Sequence, residues 1–305
     1  MPMTSANSRR GATLVELIVG IVLMSSVTTL AVSHIVRHLR SVNAISAALD
    51  LNGRLRDGAD ILAADLRGIS PRGDSLSIES DTAVQFYSAI GTSTLCATPT
   101  PNTLILPPDS LPSGRVLSSW VAEPEPGDDV LVFEDTTASG ISGWQRASVQ
   151  AVARVATASA CPASAGLLLP GDVLGTARAL EVLVAPNVTL RSPRGAPVRL
   201  VRRVRYSVYR GGDRKWYLGY RRCPGVCASI QPLSGPYESG SGFPFSFRYV
   251  TSAGAPVSTS GAFTDIARIQ LVPRAAFATP VQLPGMSAAM LHDSLNSTVS
   301  LRNRW

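Results

Sequence analysis

The sequence is poor in the residue types from which most enzyme sites are built. It has three His and one Lys, and charged residues make up only 16% of its 305 positions. His34 and His38 fall in one predicted helix, whereas His292 lies near the other end of the chain. No nucleophile elbow and no phosphate-binding loop is present. We therefore predict a protein that is not an enzyme, with no catalytic residue, no cofactor and no metal ligand.

Proline is absent between Ala12 and Ser70, although the chain contains 22 Pro and 25 Gly. Because proline breaks helix interiors, its absence allows one unbroken helix here. From Pro71 onward, short apolar segments alternate with Pro-, Gly- and Ser-rich stretches, a pattern typical of β-strands joined by loops. With 45% hydrophobic residues, the chain can also bury a sizeable core.

The segment from Ala12 to Val36 carries only two ionisable side chains, Glu16 and His34. A helix of about 25 apolar residues can cross a hydrocarbon core of about 30 Å. A carboxylate inside that core costs about 2.5–3.5 kcal/mol, and such residues are usually partnered. No Lys or Arg lies within a helical turn of Glu16. Cleavage after Gly11 would free a cationic amine four residues earlier, which could pair with Glu16 of the same or a neighbouring helix.

Residues 11–17, which read GATLVEL, resemble the class III signal of type IV pilins and type II secretion pseudopilins. The resemblance implies that a prepilin peptidase cuts after Gly11 and methylates Ala12, and that Glu16 directs assembly into a filament. It also implies a single-pass inner-membrane protein with a cytoplasmic N-terminus and a periplasmic body. Its partners would be other pilins or pseudopilins and the inner-membrane assembly platform. Ala12 departs from the Phe usual in major pilins, but minor members accept other residues.

Two simpler interpretations remain for this segment. One is an ordinary secretory signal peptide cleaved at Ala31-Val32-Ser33, although the apolar run is long for a signal core. The other is a plain single-pass anchor in which Glu16 is incidental. Two arginines precede the span and two follow it, so the positive-inside rule alone does not orient it.

The predicted fold class is α+β, with a long N-terminal helix packed on a β-rich, mostly antiparallel, pilin-like domain. We expect a cleaved leader at 1–11, a transmembrane or filament-core helix at 12–36 and an amphipathic continuation at 37–70. The periplasmic β-rich domain would occupy 71–305, with a loop-rich insertion around 88–165. Within the helix, an apolar stripe with steps of three or four is predicted to pack on the body; its members are Leu39, Val42, Ile45, Leu49, Leu55, Ala59, Leu62, Leu66 and Ile69.

Several short segments are predicted to be strands. They are Leu76–Ile78, Ala83–Tyr87, Thr103–Leu106, Arg115–Val121, Asp129–Phe133 and Gln145–Val155. Residues 197–222 form the clearest hairpin, with a turn at Gly211-Gly212. This hairpin resembles one found in PilW-type minor pilins and J-type pseudopilins, and residues 265–271 and 297–304 resemble later strands of that group.

Four cysteines allow three disulfide pairings. Cys223 and Cys227 enclose a Pro-Gly turn, which favours a local bridge and leaves Cys96 with Cys161. A zinc site is the less favoured alternative, since no His lies nearby.

The hairpin is strongly basic. Residues 191–222 hold ten Arg and one Lys against one Asp, a local charge of +10 in a chain of net charge +7. The candidate basic patch is Arg199, Arg203, Arg205, Lys215 and Arg221. The preferred interpretation is a solvated strand face that pairs with acidic surfaces of neighbouring subunits or with lipid headgroups. Because aromatic residues are interleaved with the basic ones, nucleic acid is a second, less favoured candidate partner.

The acidic loop at 123–129 could bind calcium, or more simply form a solvated turn.

A membrane-anchored periplasmic binding module or enzyme that uses a pilin-like signal is the alternative to the filament subunit.

Overall fold

The computed structural model describes residues 13–69, 76–136, 141–174, 176–185, 192–224, 226–238, 244–257, 266–277, 280, 287, 289–290 and 292–301. The chain divides into two units, Met1–Gly53 with Ala276–Asp293, and Arg54–Ala275 with Ser294–Trp305. The architecture is α+β, as predicted: one long apolar helix near the N-terminus and a mostly antiparallel β domain.

The helices are α1 (Leu14–Arg67), α2 (Thr157–Ala160) and α3 (Pro170–Val173), with a 3-10 turn at Ala163–Ala165. The strands are β1 (Leu76–Ser80), β2 (Ala83–Thr94), β3 (Ala97–Thr100), β4 (Thr103–Leu106), β5 (Ser119–Trp120), β6 (Asp129–Thr136), β7 (Ile141–Ala156), β8 (Arg178–Val184), β9 (Pro197–Arg210), β10 (Trp216–Arg222), β11 (Gln231–Tyr237), β12 (Phe245–Thr251), β13 (Ile266–Ala276), β14 (His292–Ser294) and β15 (Ser297–Ser300).

Helix α1 is continuous, as the absence of proline allows. The predicted apolar stripe has two parts with different surroundings. Its members from Leu39 to Leu49 are exposed, whereas those from Leu55 onward are buried. Only the second part therefore packs into a core, as expected for a helix that docks on the domain that follows it.

Strands β1–β11 form one sheet of eleven strands, with the order β1-β2-β9-β6-β7-β8-β4-β3; β10 and β11 extend it beside β9, and β5 pairs with β2. A second sheet holds β12–β15, in which β12 and β15 flank β13. The predicted hairpin is confirmed, because β9 and β10 pair antiparallel from Val204 opposite Arg222 to Arg210 opposite Trp216.

Two large clusters of apolar side chains share strand β9. The first joins the end of α1 to both sheets and includes Leu62, Leu66, Phe86, Val204, Tyr206, Phe247 and Ile269. The second lies within the large sheet and includes Leu104, Val130, Val132, Val149, Val182, Val198 and Leu200. A third, smaller cluster surrounds Cys96 and Cys161.

The stretch 88–165, predicted to be loop-rich, holds most of β2 and all of β3–β7 in the structure. Strand β3 and the second half of β2 were not predicted, because short strands separated by Pro and Ser look like loops until their partners are known. Conversely, the strand predicted at Arg115–Val121 is reduced to the two residues of β5. The other predicted strands are present, and β2, β6 and β7 are longer than expected.

The buried end of α1 makes specific polar contacts with the β domain. The Tyr206 hydroxyl donates to the Asp65 carboxylate at 2.5 Å, and the Tyr237 hydroxyl donates to the Arg54 carbonyl at 3.3 Å. Burial raises the pKa of both phenols, and the neighbouring Asp65 adds to the increase for Tyr206. Both phenols are therefore neutral donors that fix the helix on the sheet.

Candidate functional site

The N-terminal end of α1 forms a reciprocal cap. The Glu16 carboxylate accepts a hydrogen bond from the Thr13 backbone N–H at 3.0 Å and another from its hydroxyl at 3.3 Å. The Thr13 hydroxyl in turn accepts the Glu16 N–H at 3.3 Å. Thr followed three residues later by Glu is the capping-box pattern, which was readable in the sequence but was missed. Gly11 and Ala12 lie outside the described residues.

The helix that follows this cap is apolar, and its side chains are exposed. An 18-residue window in α1 has a mean hydropathy of 2.1, and none of it is buried. Large apolar side chains are exposed along this segment, including Leu14, Leu17, Ile21, Leu23, Met24, Val27 and Leu30. By its length and composition, this helix could cross a membrane. Its serine and threonine hydroxyls donate to carbonyls three or four residues earlier, so they need no external partner.

The basic hairpin is organised by a change of partner along β9. Residues Val198–Val201 pair with β6, and residues from Val204 onward pair with β10. Successive side chains alternate between the two faces of the sheet. The arginines of β9 are therefore divided: Arg202 lies in the inward row, between Leu200 and Val204, whereas Arg199, Arg203 and Arg205 lie in the outward row.

The outward row carries four of the five residues of the predicted basic patch. Arg199, Arg203 and Arg205 share this face of β9, and Arg221 lies directly opposite Arg205 on β10. Lys215, the fifth, lies in the turn beyond the strands, where its backbone N–H donates to the Asp213 carboxylate. The structure thus brings the four arginines together and separates them from the lysine.

Neighbouring strands add residues to this outward face that sequence reasoning missed. The Arg146 guanidinium lies 4.3 Å from the centre of the Tyr87 ring, and that of Arg199 lies 4.7 Å from the Trp144 ring. Arg146 also approaches the Asp129 carboxylate at 4.0 Å. Burial raises the pKa of Asp129, while Arg146 acts in the opposite direction. No local sequence pattern indicates that these residues lie together, because they come from three separate strands, β2, β6 and β7.

Arg202, in the inward row, makes a buried ion pair. Its Nε and Nη2 donate to the two Asp128 carboxylate oxygens at 2.8 and 2.7 Å, and Nη2 also donates to the Glu123 carbonyl at 3.0 Å. Asp128 is 1% exposed. The hydrogen bonds to Asp128 raise the pKa of Arg202. This pair fills the boundary between the two large apolar clusters, where a lone charge would be costly.

The acidic loop is held by arginines. Besides the Asp128–Arg202 pair, Glu123 accepts from Arg154 at 2.9 and 2.7 Å, and Glu125 accepts from Arg222 at 2.5 Å. The hydrogen bond from Arg222 lowers the pKa of Glu125. Among the described residues, no group of three or more His, Cys, Asp or Glu is arranged to hold a metal ion. The geometry therefore favours a loop held in place by ion pairs over a solvated turn.

The acidic loop also contacts the shorter disulfide loop. The cysteines are joined as Cys96–Cys161 and Cys223–Cys227, which is the pairing favoured from the sequence. A Cβ at Gly127 would lie 3.0 Å from the Pro224 carbonyl oxygen, so the two loops approach closely at a residue whose φ is +90°. Disulfide and ion pairs together fix the region where β9 changes partner.

Comparison with known proteins adds no relative. No family model, no curated protein and no solved structure matches this chain. What the structure establishes is the class: an α+β protein whose apolar N-terminal helix could span a membrane and whose β domain contains two disulfides.

Proposed function

We propose that this chain is a minor pilin or pseudopilin: a structural subunit that is cut after Gly11 by prepilin peptidase and methylated at Ala12. It would then join other pilins or pseudopilins, through the inner-membrane assembly platform, in a type IV pilus or a type II secretion pseudopilus. In this proposal the β domain is pilin-like and periplasmic, and the unprocessed protein is held in the inner membrane.

The observation that carries the proposal is the position of Glu16. It is the only acidic side chain between Thr13 and Arg37, and it lies in the first turn of an exposed apolar helix. In a bilayer such a carboxylate needs a cationic partner. Cleavage would supply one as the α-amine of Ala12, and an exposed apolar helix offers a packing surface to equivalent helices of neighbouring subunits.

The capping box offers a competing role for Glu16, and a pair of variants separates the two. Thr13→Ala removes the capping hydroxyl but leaves the carboxylate, whereas Glu16→Ala removes the carboxylate but leaves the Thr13 hydroxyl, which still accepts from the backbone N–H of residue 16. Loss of a cap costs about 1 kcal/mol, which a membrane-embedded helix tolerates. We therefore expect both variants to be processed, Thr13→Ala to assemble and Glu16→Ala to fail.

The experiment is co-expression with prepilin peptidase and candidate partner subunits, followed by affinity purification and detection of the partners. Equal loss of partners from Thr13→Ala and Glu16→Ala would assign Glu16 to helix capping alone. Normal recovery of partners with Glu16→Ala would contradict the proposed function.

A further inference from the structure

Two loops lie side by side at one end of the large sheet. Residues 107–118 follow β4 and residues 161–174 precede β8, and these two strands are hydrogen-bonded neighbours. Cys161, at the start of the second loop, is bridged to Cys96. Both loops thus lie near β3, at the opposite end of the strand order from β1 and β2, which pack on the end of α1.

Hydrogen bonds hold the two loops against each other. Asp172 in the second loop is 0% exposed. Its carboxylate accepts from the backbone N–H of Ser113 in the first loop at 2.9 Å and from that of Leu169 at 3.0 Å. Arg115 Nη1 in the first loop donates to the Leu167 carbonyl of the second at 3.2 Å. The loops therefore present one fixed surface to their surroundings.

The aliphatic side chains of these loops divide between the interior and the solvent. Leu111 and Leu168 belong to the third apolar cluster. Val116, Leu169 and Leu174 are instead 72%, 48% and 85% exposed. Each of these three lies within three residues of a hydrogen bond that joins the loops, so they share one surface. Large apolar side chains that are exposed together mark a site of interaction.

Arginines accompany the exposed aliphatic side chains. Arg115 belongs to the first loop, and Arg178 follows the second at the start of β8. Arg194 lies beside Gly195, where an added Cβ would be 3.7 Å from Leu167 Cδ2. All three arginines are exposed. The two-loop surface consists of Val116, Leu169, Leu174, Arg115, Arg178 and Arg194.

The two-loop surface carries a net positive charge. Segments 107–118, 161–178 and 192–196 contain three arginines and two aspartates. Of the two aspartates, Asp172 is buried between the loops and Asp109 is exposed. Aliphatic side chains beside unbalanced cations are the combination that draws a protein to an anionic lipid surface.

We propose that the two-loop surface docks on a membrane that contains anionic phospholipid. Val116, Leu169 and Leu174 enter the headgroup region, and the guanidiniums bind the phosphates. Docking is shallow, because the loop backbones need polar partners that hydrocarbon lacks. A fluid lipid surface accepts side chains that protrude from separate turns, whereas a protein partner must supply a matching pocket for each. The cross-linked loops need no ordering on contact, which removes one cost of binding.

The test uses the full-length chain held by α1 in phosphatidylcholine nanodiscs, which occupy the apolar helix with neutral lipid. Co-sedimentation then measures binding to separate sucrose-loaded vesicles of phosphatidylcholine, either alone or mixed with phosphatidylglycerol, and empty nanodiscs give the background. At about 50 mM salt, we expect binding to the vesicles that contain phosphatidylglycerol and little binding to the neutral ones.

The apolar contact is tested by Leu174→Ser. Its matched control is Val226→Ser, which removes a side chain that is 89% exposed in the loop between Cys223 and Cys227. We expect Leu174→Ser to weaken vesicle binding several-fold at about 50 and about 500 mM salt alike, because salt does not screen apolar contacts. Val226→Ser is expected to bind as the wild type does.

The charge is tested by Arg178→Gln/Arg194→Gln, and the matched control is Arg248→Gln/Arg268→Gln, which removes two exposed arginines from the second sheet. Each arginine removed from the two-loop surface should weaken binding about fivefold at about 50 mM salt. The loss should be smaller at about 500 mM salt, because exposed charges are screened. The control should retain wild-type binding, and circular dichroism checks that every variant is folded.

Equal losses in the test and control variants would overturn the proposal, as would equal binding to neutral and anionic vesicles. Absence of binding to both kinds of vesicle would also overturn it. If Leu174→Ser then prevented recovery of a co-expressed partner subunit that Val226→Ser still recovers, the two-loop surface would be a protein contact.

Discussion

The close approach of α1 and β11 at Gly58 allows a quantitative prediction about helix stability. Replacing glycine by alanine in a helix interior stabilises it by about 1 kcal/mol. At Gly58 the added Cβ would clash with the Tyr237 hydroxyl, lie 2.6 Å from the Ser234 Oγ and 3.3 Å from Phe245 Cε2. At Gly53 nothing lies within 4 Å of the added Cβ. The two substitutions are chemically identical, and only their surroundings differ.

The expected effects have opposite signs. Gly53→Ala should stabilise the protein by up to about 1 kcal/mol. Gly58→Ala gains the same helix propensity but overpacks the core, which lowers the free energy of unfolding by about 1–3 kcal/mol. It also disturbs the Ser234–Tyr237 hydrogen bond of 2.7 Å, worth about 1 kcal/mol. The net expectation for Gly58→Ala is a loss of about 1–3 kcal/mol.

Urea unfolding of the detergent-solubilised chain, followed by circular dichroism, measures both free energies. Tyr237→Phe removes the atom nearest to the new Cβ, so Gly58→Ala/Tyr237→Phe should lose less than the sum of the two single variants. If Gly58→Ala proved as stable as Gly53→Ala, the described packing of α1 on β11 would be refuted.

Two ion pairs at the β9 junction provide the remaining predictions. Arg202→Met leaves Asp128 charged and buried, so it should lower the free energy of unfolding by about 3–5 kcal/mol. The double variant Arg202→Met/Asp128→Asn should recover most of this loss, and a double variant that recovers none of it in urea unfolding would argue against the buried ion pair. The Glu125 pKa is lowered from its ordinary 4.5 by Arg222, so this contact stabilises the fold above that pH and is lost as pH falls through the lowered pKa. The stability difference between wild type and Arg222→Gln should therefore shrink in acid, and a difference that grows in acid would oppose this assignment.

The parts of the fold that follow from local pattern were predictable. The helix was indicated by the missing prolines, the hairpin by alternation around Gly211-Gly212, and the disulfide pairing by the short Cys223–Cys227 spacing. The capping box of Thr13 and Glu16 was equally local and could have been found.

The parts that depend on distant contacts were not predictable. Arg202 broke the alternation of β9, but its partner Asp128 is 74 residues away in the sequence. No pattern within the helix sequence indicates that Gly58 lies against Tyr237 and Ser234 of β11. Strand β3 and the second half of β2 become recognisable only through their partners, because their strand propensity is weak and interrupted.

The central claim is that proteolysis creates the charge that Glu16 requires. Intact-mass and N-terminal analysis of the chain co-expressed with prepilin peptidase tests it most directly. The account predicts a chain that begins at a methylated Ala12. A chain that begins at Met1, or at His34 after cleavage as an ordinary signal peptide, would contradict it.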